Sequence, residues 1–179
     1  ITHLTFLIAC LSISGIPPFS GFFSKDEILT ATFNFSNGLG IWMPVVAFLT
    51  AFYMFRLYYN IFWGKEYKSE NGHIPHESPI SMTFPLIFLA AVTLVSGFIP
   101  FGKFVTADRA EYIIHLDWTV ATISISVAII AILLATALYR KPSNIPSKIV
   151  SKTKGLYKAA YHRFYIDEIY LFITKSVIF

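Results

Sequence analysis

The sequence predicts an all-α integral membrane protein: one broken transmembrane helix, three continuous transmembrane helices, then an interfacial segment. Three observations carry that expectation. Of 179 residues, 55% are hydrophobic and only 13% are charged, against roughly 25% charged in an ordinary soluble domain. Mean hydropathy is +0.63. Apolar windows of the ~20 residues that a helix needs to cross a bilayer recur four times along the chain.

The first window, residues 1–33, is the broken one. Uncharged, largely apolar sequence runs from Ile1 to Ser24 and resumes at Ile28, with Lys25-Asp26-Glu27 between. Charges at membrane depth are costly and face protein or water. Pro17 and Pro18 donate no backbone N–H, and each disfavours helical geometry in the residue before it. The first half-helix is therefore expected to end near Gly15 or Ile16. Gly21 permits a backbone turn, and Ser24-x-x-Glu27 fits a capping box that restarts a helix at about Lys25. Irregular backbone at this depth must be buried in protein or line a wet cavity. Two half-helices meeting in the membrane with a charge at the joint is how transporters build ion sites.

Lys25 is expected in the first turn of the second half-helix, where the positive end of the dipole disfavours a further cation. Burial acts in the same direction, and Asp26 and Glu27 oppose both. That balance suits a lysine that takes up and releases a proton. The plainer alternative is a surface charge cluster at a helix end.

The other spans follow from length and apolarity. Residues 39–63 form the second and contain Arg56. Residues 82–101 form the third, uncharged, with Pro85 in the first turn where proline is tolerated. Residues 118–139 form the fourth, in which Ala121, Ser124, Ala128, Ala131 and Ala135 recur at helical spacing, a pattern suited to close helix packing. Asn34 to Gly38 is a short turn. The stretch 64–79 is a polar loop, and 102–117 has mixed charge with room for a short interfacial helix. Residues 140–179 form a basic segment expected at the membrane surface, with Tyr157 and Tyr161 at headgroup depth. The chain opens on Ile1, closes on apolar Phe179 and carries no cationic leader, and is expected to be a piece of a longer one.

Orientation follows from Lys/Arg asymmetry. If the spans alternate, one side carries Lys65, Lys68, Arg140, Lys141, Lys148, Lys152, Lys154, Lys158 and Arg163. The other has Lys103 and Arg109. The basic side, with the Gly64–Pro79 loop and the chain after Arg140, is expected to be cytoplasmic in a bacterial inner membrane (or the matrix side in an organelle). The basic character thus reflects orientation and contact with the lipid bilayer, and no nucleic-acid partner is expected.

Other candidates are weaker. Arg56 lies within snorkelling reach of the headgroups; the other reading is an ion pair with a carboxylate elsewhere in the longer chain. His3, at the start of the first span, is either an interfacial histidine or a proton relay into the cavity. His73 and His76 lack a further ligand for a metal site. Cys10 reads as a small packing residue. Asp167 and Glu168 read as either a docking motif or an exposed turn. No phosphate loop, nucleophile elbow, CxxC pair or dinucleotide fingerprint is present. No cofactor is expected in this chain, and its chemistry is expected to be proton or ion movement.

The stretch Gly15-Ile16-Pro17-Pro18-Phe19-Ser20-Gly21-Phe22-Phe23-Ser24-Lys25-Asp26-Glu27-Ile28-Leu29 resembles the signature of the antiporter-like subunits of respiratory complex I. It is most similar to the L subunits of bacterial NADH–quinone oxidoreductase and their mitochondrial counterpart, subunit 5. Phe55-Arg56-Leu57 through Phe62-Trp63-Gly64-Lys65-Glu66 and Arg163-Phe164-Tyr165-Ile166-Asp167-Glu168-Ile169-Tyr170 agree. The resemblance implies a proton-translocating subunit of an NADH:quinone oxidoreductase, with Lys25 the terminal residue of a proton path on a broken helix and Asp26 following it. It implies other membrane subunits as partners, especially a neighbouring antiporter-like one, and a lateral helix beyond this chain. The large subunit of a Mrp-type Na⁺/H⁺ antiporter, or a membrane-bound hydrogenase module, is the alternative that shares the Pro-Pro and Lys pattern.

Overall fold

The computed structural model describes residues 1–64, 76–99, 117–141 and 144–178, and all regular structure among them is helical. The helices are α1 (Thr2–Ser14), α2 (Ser20–Phe35), α3 (Asn37–Phe62), α4 (Ile80–Val95), α5 (Trp118–Tyr139), α6 (Ile145–Lys152), α7 (Lys154–Tyr161) and α8 (Ile166–Ile173). Three helical stretches are long and apolar enough to cross a membrane: Gly38–Phe62, Ile80–Phe98 and Trp118–Tyr139. The last of these starts and ends where the apolar window does. The end of the third window, the interfacial helix expected within 102–117, and His73 lie outside the described residues.

The chain divides into two compact units, residues 1–141 and 142–179. In the first, α1 ends in a Schellman turn. Gly15 takes φ 79°, its N–H donates to Ser12 O, and Ile16 N–H donates to Leu11 O. Glycine meets that left-handed geometry without the Cβ penalty, and proline just beyond it prevents continuation. The Pro17–Pro18 bond is cis. Phe19 is extended and α2 begins at Ser20.

That start corrects the expected restart at Lys25. Ser24 lies inside α2 with its hydroxyl on Gly21 O, so the Ser24–Glu27 capping box does not form. The turn is already complete at Phe19, and nothing between Ser20 and Ser24 opposes helix strongly. Gly21 is likewise helical and not a turn residue. Its role is close approach: a Cβ there would lie 2.0 Å from Ser12 O. Its N–H donates to the Ser12 hydroxyl at 3.2 Å, which joins the first turn of α2 to the last turn of α1.

Helix α3 runs antiparallel along both pieces. His3 meets Phe62 at one end, the Cys10 thiol reaches Met54 O further along, Ile16 packs on Ala51, and Phe33 meets Gly40 at the other end. Helix α5 runs parallel to α3, because Ala128 and Ala131 pack on Ala51, Tyr59 bonds Thr136, and Trp63 meets Arg140. The small residues set this spacing: Ala121, Ser124, Ala128, Ala131 and Ala135 are all buried. Glu77, ahead of α4, accepts hydrogen bonds from the Thr2 N–H and hydroxyl and so caps α1. At the far end of α4 a tighter turn, Ser96–Phe98, packs against α2, where a Cβ on Gly97 would meet Phe23 at 2.5 Å.

In the second unit, α6 and α7 carry lysines beside exposed Ile145, Ile149, Leu156 and Tyr157. A turn through Arg163, Phe164 and Tyr165, all at positive φ, leads into α8. Arg163 pairs with Asp167 across the turn at 2.5 Å, and His162 stacks on Tyr165. Asp167 therefore spends its charge locally.

Candidate functional site

A helix leaves its last four carbonyls without intrahelical partners. In α1 the Schellman turn satisfies those of Leu11 and Ser12. The carbonyl of Ile13 is answered from outside the helix, by the Lys25 ammonium, which donates to it at 2.8 Å. Lys25 therefore reaches back across the break and caps the first half-helix. It stands six residues into α2, beyond the first turn, so the field that bears on it is not the one expected. The ammonium lies against the negative end of the α1 dipole rather than in the positive end of its own helix. Gly15 makes room for this, with the Lys25 chain lying over its Cα: a Cβ on Gly15 would sit 3.0 Å from Lys25 Cδ.

Asp26 follows Lys25 but points elsewhere, since adjacent helical residues are about 100° apart. It is 1% exposed, the most bulky of the fully buried side chains among the described residues. Asp26 Oδ1, Glu27 Oε1, Thr30 Oγ1 and Ser14 Oγ are buried and make no hydrogen bond among the described residues. Asp26 and Thr30 share one face of α2 at i,i+4, with Glu27 beside them. At the break itself the Lys25 ammonium joins the two helix ends, with Ser14 in the last turn of α1, while Asp26, Glu27 and Thr30 follow further along α2.

The structure does not bring every candidate to this site. His3 lies at the far end of α1, which rises about 20 Å over its 13 residues. Its Nε2 is 2.6 Å from the Tyr58 hydroxyl, and its ring stacks on Tyr58 and tilts against Phe62. Arg56 is exposed on α3 and places its guanidinium 5.3 Å over the Tyr139 ring. No carboxylate pairs with it among the described residues. His76 makes no metal cluster with the described His, Cys, Asp or Glu side chains.

Residues 1–52, which contain the break and the ammonium across it, match the family model described as NADH:quinone oxidoreductase/Mrp antiporter, TM. Over 95% of its length the chain is 37% identical to NAD(P)H-quinone oxidoreductase subunit 5 of the Chlorokybus atmophyticus chloroplast. It is 36% identical over 95% to chain 5 of a Picosynechococcus strain, and 35% identical over 95% to NADH-quinone oxidoreductase subunit L of Neisseria meningitidis. The chain belongs to the subunit 5/L family. It covers 28%, 30% and 32% of the lengths of those three relatives.

Within this subunit 5/L chain, several residues at the break escape a reading of the sequence. Ile13 contributes only a backbone carbonyl, for which residue type holds no signal. Ser12 and Ser14 do leave one: two hydroxyls in the last turn of an apolar half-helix, both buried. Tyr58 and Tyr139, which hold His3 and Arg56, look in the sequence like ordinary members of an aromatic-rich span.

Proposed function

We propose that this chain is a proton-translocating membrane segment of a subunit 5/L protein, and so part of an NADH:quinone oxidoreductase. The observation that carries the reading is the Lys25 ammonium on the Ile13 carbonyl, across a break between two helices. Taken together, α1 and α2 match the length of α3, from His3 against Phe62 to Phe33 against Gly40. On that basis the two pieces form one broken span beside three continuous ones. Lys25 falls between the Ile16 and Phe33 contacts, well away from either end of α3. Ten residues of α2 follow it, roughly 15 Å of helix, which is about half of a ~30 Å hydrocarbon core.

A proton on Lys25 needs somewhere to go, and Asp26, Glu27 and Thr30 along α2, with Ser14 at the end of α1, each hold a buried oxygen without a partner among the described residues. When Lys25 gives up its proton, the bond to Ile13 O loses its charge assistance, so proton release and the hold on α1 are linked. His3 belongs to this reading only as an entry point at the other end of α1. Gly15, Pro17 and Pro18 make the break, and Gly21 holds its two sides together.

The rest of the assignment follows the same line. The segment moves protons, while redox groups and quinone chemistry fall to other subunits; its membrane partners include a neighbouring antiporter-like subunit. The end that carries Trp63, Glu77 and Arg140 faces the cytoplasm of a bacterial inner membrane. The basic segment after Arg140 lies on that surface and leads to a lateral helix. The testing experiment is turnover of the full complex: Lys25→Arg keeps a cation but does not release its proton in this pH range. Coupled quinone reduction is expected to fall as far as in Lys25→Ala. Full turnover in Lys25→Arg would contradict proton exchange at this position.

A further inference from the structure

The end of the first unit where α3 and α5 finish carries two exposed guanidinium groups, each laid over an aromatic ring. Arg56 Cζ lies 5.3 Å from the Tyr139 ring centre and Arg140 Cζ lies 5.1 Å from that of Trp63. The rings are themselves held in place. Tyr59 bonds Thr136 through its hydroxyl and meets Trp63 edge-on. Arg56, Asn60 and Trp63 share one face of α3 at i, i+4 and i+7, and Arg140 sits over the last of them. Arg56 and Trp63 are about 10 Å apart along the axis of α3, and Tyr139 and Arg140, adjacent on the chain, bring the two cation–ring pairs to the same end of the bundle. Lys141 is exposed beside them. The side-chain ion pair seen among the described residues, Arg163 with Asp167, leaves Arg56, Arg140 and Lys141 without a carboxylate there.

A guanidinium placed over a ring face keeps the N–H donors that point away from the ring free to fork onto an oxyanion. Oxygens of phosphate match that fork in a bidentate manner. The flanking surface is apolar: Leu57, Ile61, Leu133 and Leu134 are all exposed next to these residues. An arginine on such a surface needs an anion within reach of the headgroup layer, and Trp and Tyr are the rings that settle at that layer. We infer that Arg56, Arg140 and Lys141, held by Tyr139 and Trp63, bind the phosphate of an anionic phospholipid whose chains lie along α3 and α5. The site requires that α3 and α5 cross a bilayer, and it is independent of what passes through the break.

Native mass spectrometry on the full-length protein, in the complex with which it purifies, tests this. The delipidated sample is titrated with phosphatidylglycerol, with phosphatidylcholine as the zwitterionic control and inorganic phosphate as competitor. Arg56→Gln/Arg140→Gln is expected to lower phosphatidylglycerol retention by about fivefold for each arginine removed. Phosphatidylcholine retention is expected to stay as it is, and inorganic phosphate is expected not to displace the lipid. Equal retention in wild type and variant would overturn the inference. So would displacement by inorganic phosphate, or loss of a neighbouring subunit with lipid retention unchanged. Should the double variant fail to assemble, Arg56→Lys/Arg140→Lys keeps the charge and removes the fork. Reduced retention there supports the site, and unchanged retention overturns it.

Discussion

At Gly15 and Gly21 the same substitution meets two different obstacles. A Cβ on Gly15 meets the flexible Lys25 chain at 3.0 Å and a backbone at φ 79°, while one on Gly21 meets the Ser12 carbonyl oxygen at 2.0 Å. The left-handed strain at Gly15→Ala costs about 1–2 kcal/mol, and the lysine can swing aside. At Gly21→Ala two backbones must separate. Thermal denaturation of the full-length protein in detergent should rank Gly21→Ala below Gly15→Ala, and the opposite order would contradict the Ser12–Gly21 contact. Glu77 offers a pH test at the other end of α1. Hydrogen bonds from the Thr2 hydroxyl and N–H hold its carboxyl below the usual 4.5. A depressed value means that its contribution to stability is complete above pH ~4.5 and is lost progressively as pH falls below that. The gap in melting temperature between wild type and Glu77→Gln should close over that window, and a gap that widens on acidification would contradict the cap.

Among the helices, the contact between α3 and α5 depends on how small α5 is where it meets Ala51. Ala131 is 0% exposed and Ile130, its neighbour, is 53% exposed. Ala131→Leu should force the pair apart at about 1–3 kcal/mol, whereas Ile130→Leu should leave detergent stability unchanged; equal losses would mean that α5 packs on another face. The stripe at fault is legible in the sequence, because small residues at helical spacing in an apolar span have few other uses. The ending of α1 is legible too, since glycine followed by two prolines leaves the helix no way forward. Its restart is not. Ser24 and Glu27 have the chemistry of a capping box, but capping needs a helix that begins there. The proline turn closes five residues earlier, and Gly21 is spent on a contact that only the folded hairpin reveals. The partner of Lys25 is hidden for the same reason, because a backbone carbonyl has no letter of its own.

For the whole molecule, the alternation of spans on which the orientation reading rests has a structural counterpart. Trp63 lies beside Arg140, His3 against Phe62 and Thr2 beside Glu77, so the ends of α3 and α5 and the starts of α1 and α4 lie together. Cysteines placed at Gly64 and at Lys141 should react with impermeant maleimide from the cytoplasmic side alone. Cys10 is buried and should stay silent. Labelling of either site from outside would invert the topology. The class, the apolar spans and the lysine are all accessible from composition and order. What links them, an ammonium of one half-helix capping the other, appears only when α3 brings the two pieces into line. That linkage is the central claim, and proton pumping per electron, in vesicles holding the complete complex with Lys25→Ala, tests it most directly. Assembly should persist while the ratio of protons moved to electrons transferred falls, with Asp26→Ala acting more mildly. Wild-type pumping at wild-type turnover in Lys25→Ala would place the proton path somewhere else.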